Sequence, residues 1–154
     1  MLAHSPVHFE MLASLQIHRN ILAEEAVSEF SKSGVEAAIF VQCLNSCPEE
    51  VAWVEGLTAK YPVIKGIVGG LDLTQDPALL RSQIKSSRLL VGVRHILDVE
   101  SEDWLLREDV HRGLQVLEEE NLVFDCLVRP HILKHVPTIG KVLIVNTGCT
   151  KKGE

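Results

Sequence analysis

The stretch "LLVGVRHIL", residues 89–97, gives the clearest signal for the fold. It is apolar enough for a strand that is buried on both faces, yet Arg94 and His95 interrupt it near its end. Strands buried on both faces are typical of parallel sheets covered by helices. A second stretch, "VFDCLVRPHIL" (123–133), repeats the pattern with Arg129 and His131. The two stretches predict strands that carry cationic and imidazole side chains to one end of a sheet.

The bulk composition limits the class of protein. With 154 residues, 46% of them hydrophobic, and a formal net charge of -6, the chain is typical of one globular domain with a real core. A pI near 5.6 without a basic stripe disfavours a nucleic-acid surface. No apolar run approaches the roughly 20 residues of a membrane span. Residues 1–20 lack the regions of a secretory signal, so we expect a cytoplasmic protein.

The four cysteines lack the spacing of a structural zinc site, and we expect them to be thiols. They are Cys43, Cys47, Cys126 and Cys149. Cys126 lies within an apolar, strand-like run and is therefore expected to be buried and unreactive.

Strand-like and helix-like segments alternate along the chain. The predicted strands are 36–42, 63–73, 89–97 and 123–129, and the predicted helices are 48–62, 76–87 and 101–122. This order predicts an α/β fold with a parallel sheet, because each crossover between parallel strands needs a dozen or more residues. An open doubly wound sheet and a closed (β/α)8 barrel both satisfy it. A whole barrel needs about 250 residues, so we expect part of one, with about five parallel strands.

In both architectures, ligands bind at the carboxyl ends of the strands. The polar residues at these predicted ends are Gln42, Asp72, Arg94, His95, Arg129 and His131. The glycines of "GIVGGLDL" (66–73) lie within a strand rather than between a strand and a helix, so they do not form a phosphate-binding loop.

Four segments in succession carry a resemblance to a known family. They are "SGVEAAIFVQ", "YPVIKGIVGGLDL", "LLVGVRHIL" and "GLQVLEEENLVFDCLVRPHIL". Together they resemble the amidohydrolase-related family of sugar-lactone hydrolases, which includes rhamnono-lactonases, fucono-lactonases and 2-pyrone-4,6-dicarboxylate lactonase. The resemblance covers about residues 21–136. It implies a (β/α)8 barrel that opens a cyclic ester with water, and in some members a divalent metal such as zinc or manganese.

Under this resemblance, His95 and His131 are the candidate catalytic residues, as groups that polarise the carbonyl or bind a metal. Arg94 and Arg129 are candidates for substrate binding, because a guanidinium offers a forked, permanently charged donor. Gln42 and Asp72 complete the predicted substrate site. Structural roles for these residues stay open as alternatives. In one, Arg94 pairs with Asp98 or Asp103; in the other, His95 is a hydrogen-bonded core histidine.

The chain also departs from the family pattern. The family has a His-x-His at the end of its first strand, whereas His4 and His8 are spaced differently, so no metal ligand is assigned. Residues 138–154 diverge from the family's later strands. We therefore expect a single incomplete domain, 1–154, in a truncated chain whose open sheet edges favour self-association or pairing with a longer homologous chain.

Three functions follow as hypotheses. The first is a lactonase-like hydrolase, although the truncated chain need not be active by itself. The second is a non-catalytic form that pairs with a longer chain. The third is a small α/β protein that binds an anionic metabolite through Arg94 and Arg129.

Overall fold

The computed structural model describes residues 20–42, 47–128 and 130–139. The chain divides into two compact units, Met1–Glu36 and Ala37–Glu154. The described part of the first unit contains one helix, α1 (Ala23–Lys32), in which Lys32 forms an ion pair with Glu29 at 2.7 Å. Within the described ranges, no helix combines the length and the apolar character that crossing a membrane requires.

The second unit alternates strands and helices, as the sequence predicts. Its strands are β1 (Ala38–Val41), β2 (Ile64–Gly69), β3 (Leu90–Ile96) and β4 (Val123–Leu127). Its α-helices are α2 (Pro48–Leu57), α3 (Pro77–Lys85), α4 (Glu108–Glu119) and α5 (Pro130–Leu133). Short 3-10 turns lie at Leu97–Val99, Trp104–Leu106 and Val136–Ile139.

The four strands form one parallel sheet in the order β1-β2-β3-β4. Each strand therefore lies beside the one that precedes it in the chain, whereas a doubly wound sheet reverses its order at a switch point. Right-handed crossovers that never reverse place every helix on one face of the sheet, as in a (β/α)8 barrel. Of about five predicted strands, four lie in the described ranges, and the sheet has the form of a partial barrel.

One face of the sheet packs against the helices. Val93 pairs with Phe124 in the parallel register, and both side chains are fully buried. Gly69 lies beside Val93 and faces Val51 of α2. Cys126 shares this face, and burial raises the pKa of its thiol to about 12, so the predicted unreactive thiol agrees with its surroundings. The hydrophobic core thus lies between the sheet and its helical layer.

We call the opposite face of the sheet the inner face. Arg94 lies on it together with Asp125, its register partner on β4. Val123 lies two residues before Asp125 and shares this face, because side chains alternate along a strand. Ile39 and Val91 lie there too, since theirs are the side chains that a Cβ at Gly66 would meet. Alternation alone would put Val91 on the other face, but the register of β2 and β3 shifts between Leu90 and Gly92, which lets Val91 share the inner face. The inner face is therefore apolar along the strands and charged at their carboxyl ends.

Local capping fixes the helix ends. Asp76 caps α3 by accepting hydrogen bonds from the backbone N–H groups of Ala78 (2.8 Å) and Leu79 (3.3 Å). The predicted helix 101–122 begins only at Glu108, because Arg107 has an extended backbone. At its other end Asn121 adopts a left-handed conformation, which lets the chain leave α4 and enter β4.

Gly113 controls how closely α4 approaches the loop after β2. A Cβ at Gly113 would overlap the backbone carbonyl of Leu73, and backbone cannot move aside as a flexible side chain can. A Cβ at Gly56 on α2, by contrast, would meet no atom within 4 Å.

We expect Gly113→Ala to lower the free energy of unfolding by about 2 kcal/mol, because the added methyl forces α4 away from the loop. The matched variant Gly56→Ala is expected to raise it by about 0.5–1 kcal/mol through helix propensity alone. Urea unfolding followed by tryptophan fluorescence measures both. Equal effects of the two substitutions would contradict the packing described for Gly113.

Candidate functional site

Arg94 is the centre of the polar cluster at the carboxyl ends of the strands. Its Nε donates to Asp125 Oδ2 at 2.8 Å, and its Nη2 donates to the same oxygen at 2.5 Å. Its Nη1 donates to the backbone carbonyl of Gln42 at 3.1 Å. The side chain therefore spans from β4 to the residue that follows β1, across the end of β2. Three bonds from one guanidinium fix its plane on the inner face.

The Arg94–Asp125 pair is largely removed from water. Only 13% of the Arg94 side chain and 15% of the Asp125 side chain are exposed. Asp125 Oδ1 is buried, and among the described residues it has no hydrogen-bond partner. The guanidinium has five N–H donors, of which the three bonds use three. The pair can therefore present N–H groups to an oxygen atom at the mouth of the partial barrel while its own charge is neutralised.

Asp125 is a site residue that the sequence analysis does not predict. The predicted partners of Arg94 are Asp98 and Asp103, which are near it in sequence. The sequence does contain a signal for Asp125, because it is a single carboxylate inside the apolar run "VFDCLV" (123–128). A buried carboxylate requires a cation or several donors, and the neighbouring strand supplies Arg94.

His95 points to the helical side of the sheet, away from Arg94. Its Nε2 donates to Glu100 Oε1 at 2.8 Å, and its ring stacks on Trp104 at 4.3 Å between centroids, with an interplanar angle of 6°. Its Nδ1 is buried and finds no partner in the described part of the chain. This placement favours the alternative of a hydrogen-bonded core histidine, and the catalytic role of His95 stays a prediction.

Gln42 and Asp72 lie at strand ends but differ in surroundings. Gln42 is fully buried directly after β1, where its N–H donates to the carbonyl of Val68 at 2.8 Å and its carbonyl accepts from Arg94. Asp72 is exposed, and its Oδ1 accepts from the N–H (2.8 Å) and the hydroxyl (2.7 Å) of Thr74. The carboxylate of Asp72 thus stabilises the turn at Asp72–Thr74, whereas the backbone of Gln42 is part of the Arg94 cluster.

His131 and Arg129 follow β4 in the chain. His131 is exposed in the short helix α5, which begins at Pro130, three residues after β4 ends. His131 therefore follows the carboxyl end of β4, the end of the sheet near which Arg94 lies. Arg129 lies outside the described residues, as do His4, His8, Cys43 and Cys149.

The described residues do not fit a bound divalent metal. In the ranges 20–42, 47–128 and 130–139, no group of three His, Cys, Asp or Glu side chains could hold one. Asp125, the carboxylate at the centre of the cluster, is already held by a guanidinium, which would repel a cation. His95 faces the other side of the sheet. The arrangement instead favours electrostatic binding of an oxygen atom by arginine N–H groups.

Comparison with solved structures finds barrel enzymes. A crystal structure of an amidohydrolase from Burkholderia multivorans with bound HEPES superimposes with a TM-score of 0.70 and 26% identity, over 79% of this chain and 42% of that one. A second crystal structure of such an amidohydrolase, with bound zinc, gives 0.69 and 25% identity, over 78% and 43%.

A probable 2-pyrone-4,6-dicarboxylic acid hydrolase from Acinetobacter baumannii, with citric acid bound, shares the fold. Its TM-score is 0.63 at 17% identity, over 84% of this chain and 49% of that one. The present chain therefore spans less than half the length of each of these three structures. No family model matches the sequence, and no curated protein matches it.

The energetic weight of the Arg94–Asp125 pair can be measured with a double-mutant cycle. We expect Arg94→Met and Asp125→Leu each to lower the free energy of unfolding by about 3 kcal/mol, because each substitution leaves the remaining charged side chain of the pair buried and unpaired. The double variant is expected to recover most of that loss, since it leaves no buried charge.

Arg107→Met serves as the control for this cycle. Arg107 pairs with Asp109 on the surface, where 47% of its side chain is exposed, so its loss is expected to leave the urea midpoint nearly unchanged. Strictly additive losses in the Arg94 and Asp125 variants would mean that the two side chains do not interact.

Proposed function

We propose that this chain, whose fold matches amidohydrolase crystal structures over about four fifths of its length, takes part in the hydrolysis of a cyclic ester, most simply a sugar lactone. The single observation that carries the proposal is the fixed guanidinium of Arg94 at the mouth of the partial barrel. In such barrels, substrates bind at the carboxyl ends of the strands. Asp125 and Gln42 hold Arg94 at that place.

The chemistry of lactone opening explains why an arginine suits this position. Attack of water on the ester carbonyl carbon moves negative charge onto the carbonyl oxygen. N–H donors that are fixed before the reaction stabilise this charge without having to reorient. In the proposed reaction, the Nη hydrogens of Arg94 that Asp125 and Gln42 leave available donate to the carbonyl oxygen.

We assign the proton transfer to His131. The oxygen of water bonds to the carbonyl carbon while imidazole takes the proton, and the ring C–O bond then breaks. The alkoxide that leaves receives the proton from His131, which gives the open hydroxy acid and restores the neutral imidazole.

The proposal is tested by following acid release from a panel of aldonolactones at constant pH, with and without added zinc or manganese. We expect the chain to open at least one lactone faster than buffer does. His131→Ala is expected to lower kcat by about 100-fold or more, as the loss of a general base does. Because His131 is exposed, this variant is expected to fold normally.

The role of Arg94 in the reaction is tested in a double variant that is expected to fold. The double variant Arg94→Met/Asp125→Leu removes the donor without leaving a buried charge, and it is expected to lower kcat/KM by about 100-fold. Arg112→Met is the control, because Arg112 is 57% exposed on α4. Lactone opening no faster than buffer across the panel, or full activity in the double variant, would refute the proposal.

A further inference from the structure

The inner face of the sheet presents an apolar surface that the described residues do not cover. Ile39 is 58% exposed, Val91 39% and Val123 37%, although all three lie within strands. They form one patch. Ile39 and Val91 both border Gly66, and Val123 of β4 lies beside Gly92 of β3, the residue after Val91. Contiguous apolar patches of this kind mark surfaces that bind a partner.

Both edges of the sheet are open as well. β1 pairs only with β2 and β4 only with β3 among the described residues. An edge strand presents a row of N–H and carbonyl groups that can pair with another strand. Any partner that covers the inner face can therefore also pair with β1 and β4.

The number and direction of the strands select the partner. A (β/α)8 barrel needs eight parallel strands, and the described sheet supplies four in consecutive order. A two-fold axis that runs parallel to the strands leaves the direction of every strand unchanged. Such an axis brings β4 of one copy beside β1 of the other, and it does so twice, which closes the ring.

We propose that a second copy of this chain covers the inner face and closes the sheet into an eight-stranded parallel barrel. The interface is isologous, since the same two edges and the same apolar face serve both copies. Barrel interiors are filled by layers of four side chains from alternate strands, so each copy supplies two side chains to each layer. Ile39, Val91 and Val123 of both copies then become core residues.

The charges on the inner face are compatible with this pairing. The two-fold axis brings two Arg94 side chains to the same mouth, where unpaired guanidinium groups would repel each other. Each is already neutralised by its own Asp125, at 2.5 Å from Nη2 to Oδ2. The closed barrel would therefore have two equivalent Arg94–Asp125 pairs around one mouth. This inference does not depend on the proposed lactone chemistry, because it rests on the faces and edges of the sheet alone.

Light scattering coupled to size exclusion tests the proposal on the 154-residue chain. We expect a mass of twice 17.1 kDa that falls to one chain on dilution. Val123→Lys places a charge on the part of the inner face that the second copy would cover, at the start of β4, and it is expected to weaken the dimer by at least about thirtyfold, because the interface would bury an unpaired charge. The control is Leu79→Lys, since Leu79 is 51% exposed but lies on α3, on the helical side; it is expected to leave the dimer intact.

Hydrogen exchange of the wild-type chain gives a second readout that does not depend on whether Val123→Lys folds. We expect the amides of β1 and β4 to be protected in the dimer and to lose that protection on dilution. A single-chain mass at every concentration would overturn the proposal, as would larger open assemblies. Edge-strand protection that does not change with concentration would also overturn it, because other residues of the same chain would then cover the edges.

Discussion

The register between β3 and β4 is the constraint on which the rest of the site depends. It places Arg94 directly opposite Asp125 on one face and Val93 directly opposite Phe124 on the other. A shift of β4 by one residue against β3 would turn Asp125 into the helical core and Phe124 onto the inner face, away from their partners on β3. Burial of Val93 and Phe124 and pairing of the two charges thus specify the same alignment.

That alignment also explains why the polar cluster forms at one end of the sheet. Parallel strands deliver their carboxyl ends to the same edge, and Arg94 is long enough to cross β2 and reach the carbonyl of Gln42. Its three hydrogen bonds tie together both outer strands of the sheet, β1 through the residue after it and β4 through Asp125. The cluster therefore links the two outer strands of the sheet at their carboxyl ends.

The sequence predicts much of this fold because its signals are local. Apolar runs separated by helical segments indicate the alternating α/β order, and Asp76 before Pro77 indicates the start of α3. The strand-end position of Arg94 follows from the same reading. The resemblance to amidohydrolase-related barrels agrees with the structural matches, which cover about four fifths of the chain.

What the sequence does not reveal depends on which face a side chain occupies and on contacts between distant residues. His95 and Arg94 are adjacent in sequence, so alternation along the strand sends one to Trp104 and Glu100 and the other to Asp125. Asp125 lies 31 residues from Arg94, and only the pairing of β3 with β4 brings them together. The late start of α4 likewise depends on the buried 3-10 turn around Trp104 rather than on helical periodicity.

A proton–nitrogen NMR spectrum of the arginine Nε–H groups would show whether Arg94 is fixed by Asp125. We expect one resonance, from Arg94, whose hydrogen exchanges with water far more slowly than those of the exposed arginines, because Asp125 holds it in a largely buried bond. This slow exchange should disappear in Asp125→Asn, where the carboxylate charge is lost. Rapid exchange of every Nε–H in the wild-type chain would show instead that Arg94 is not fixed on the inner face.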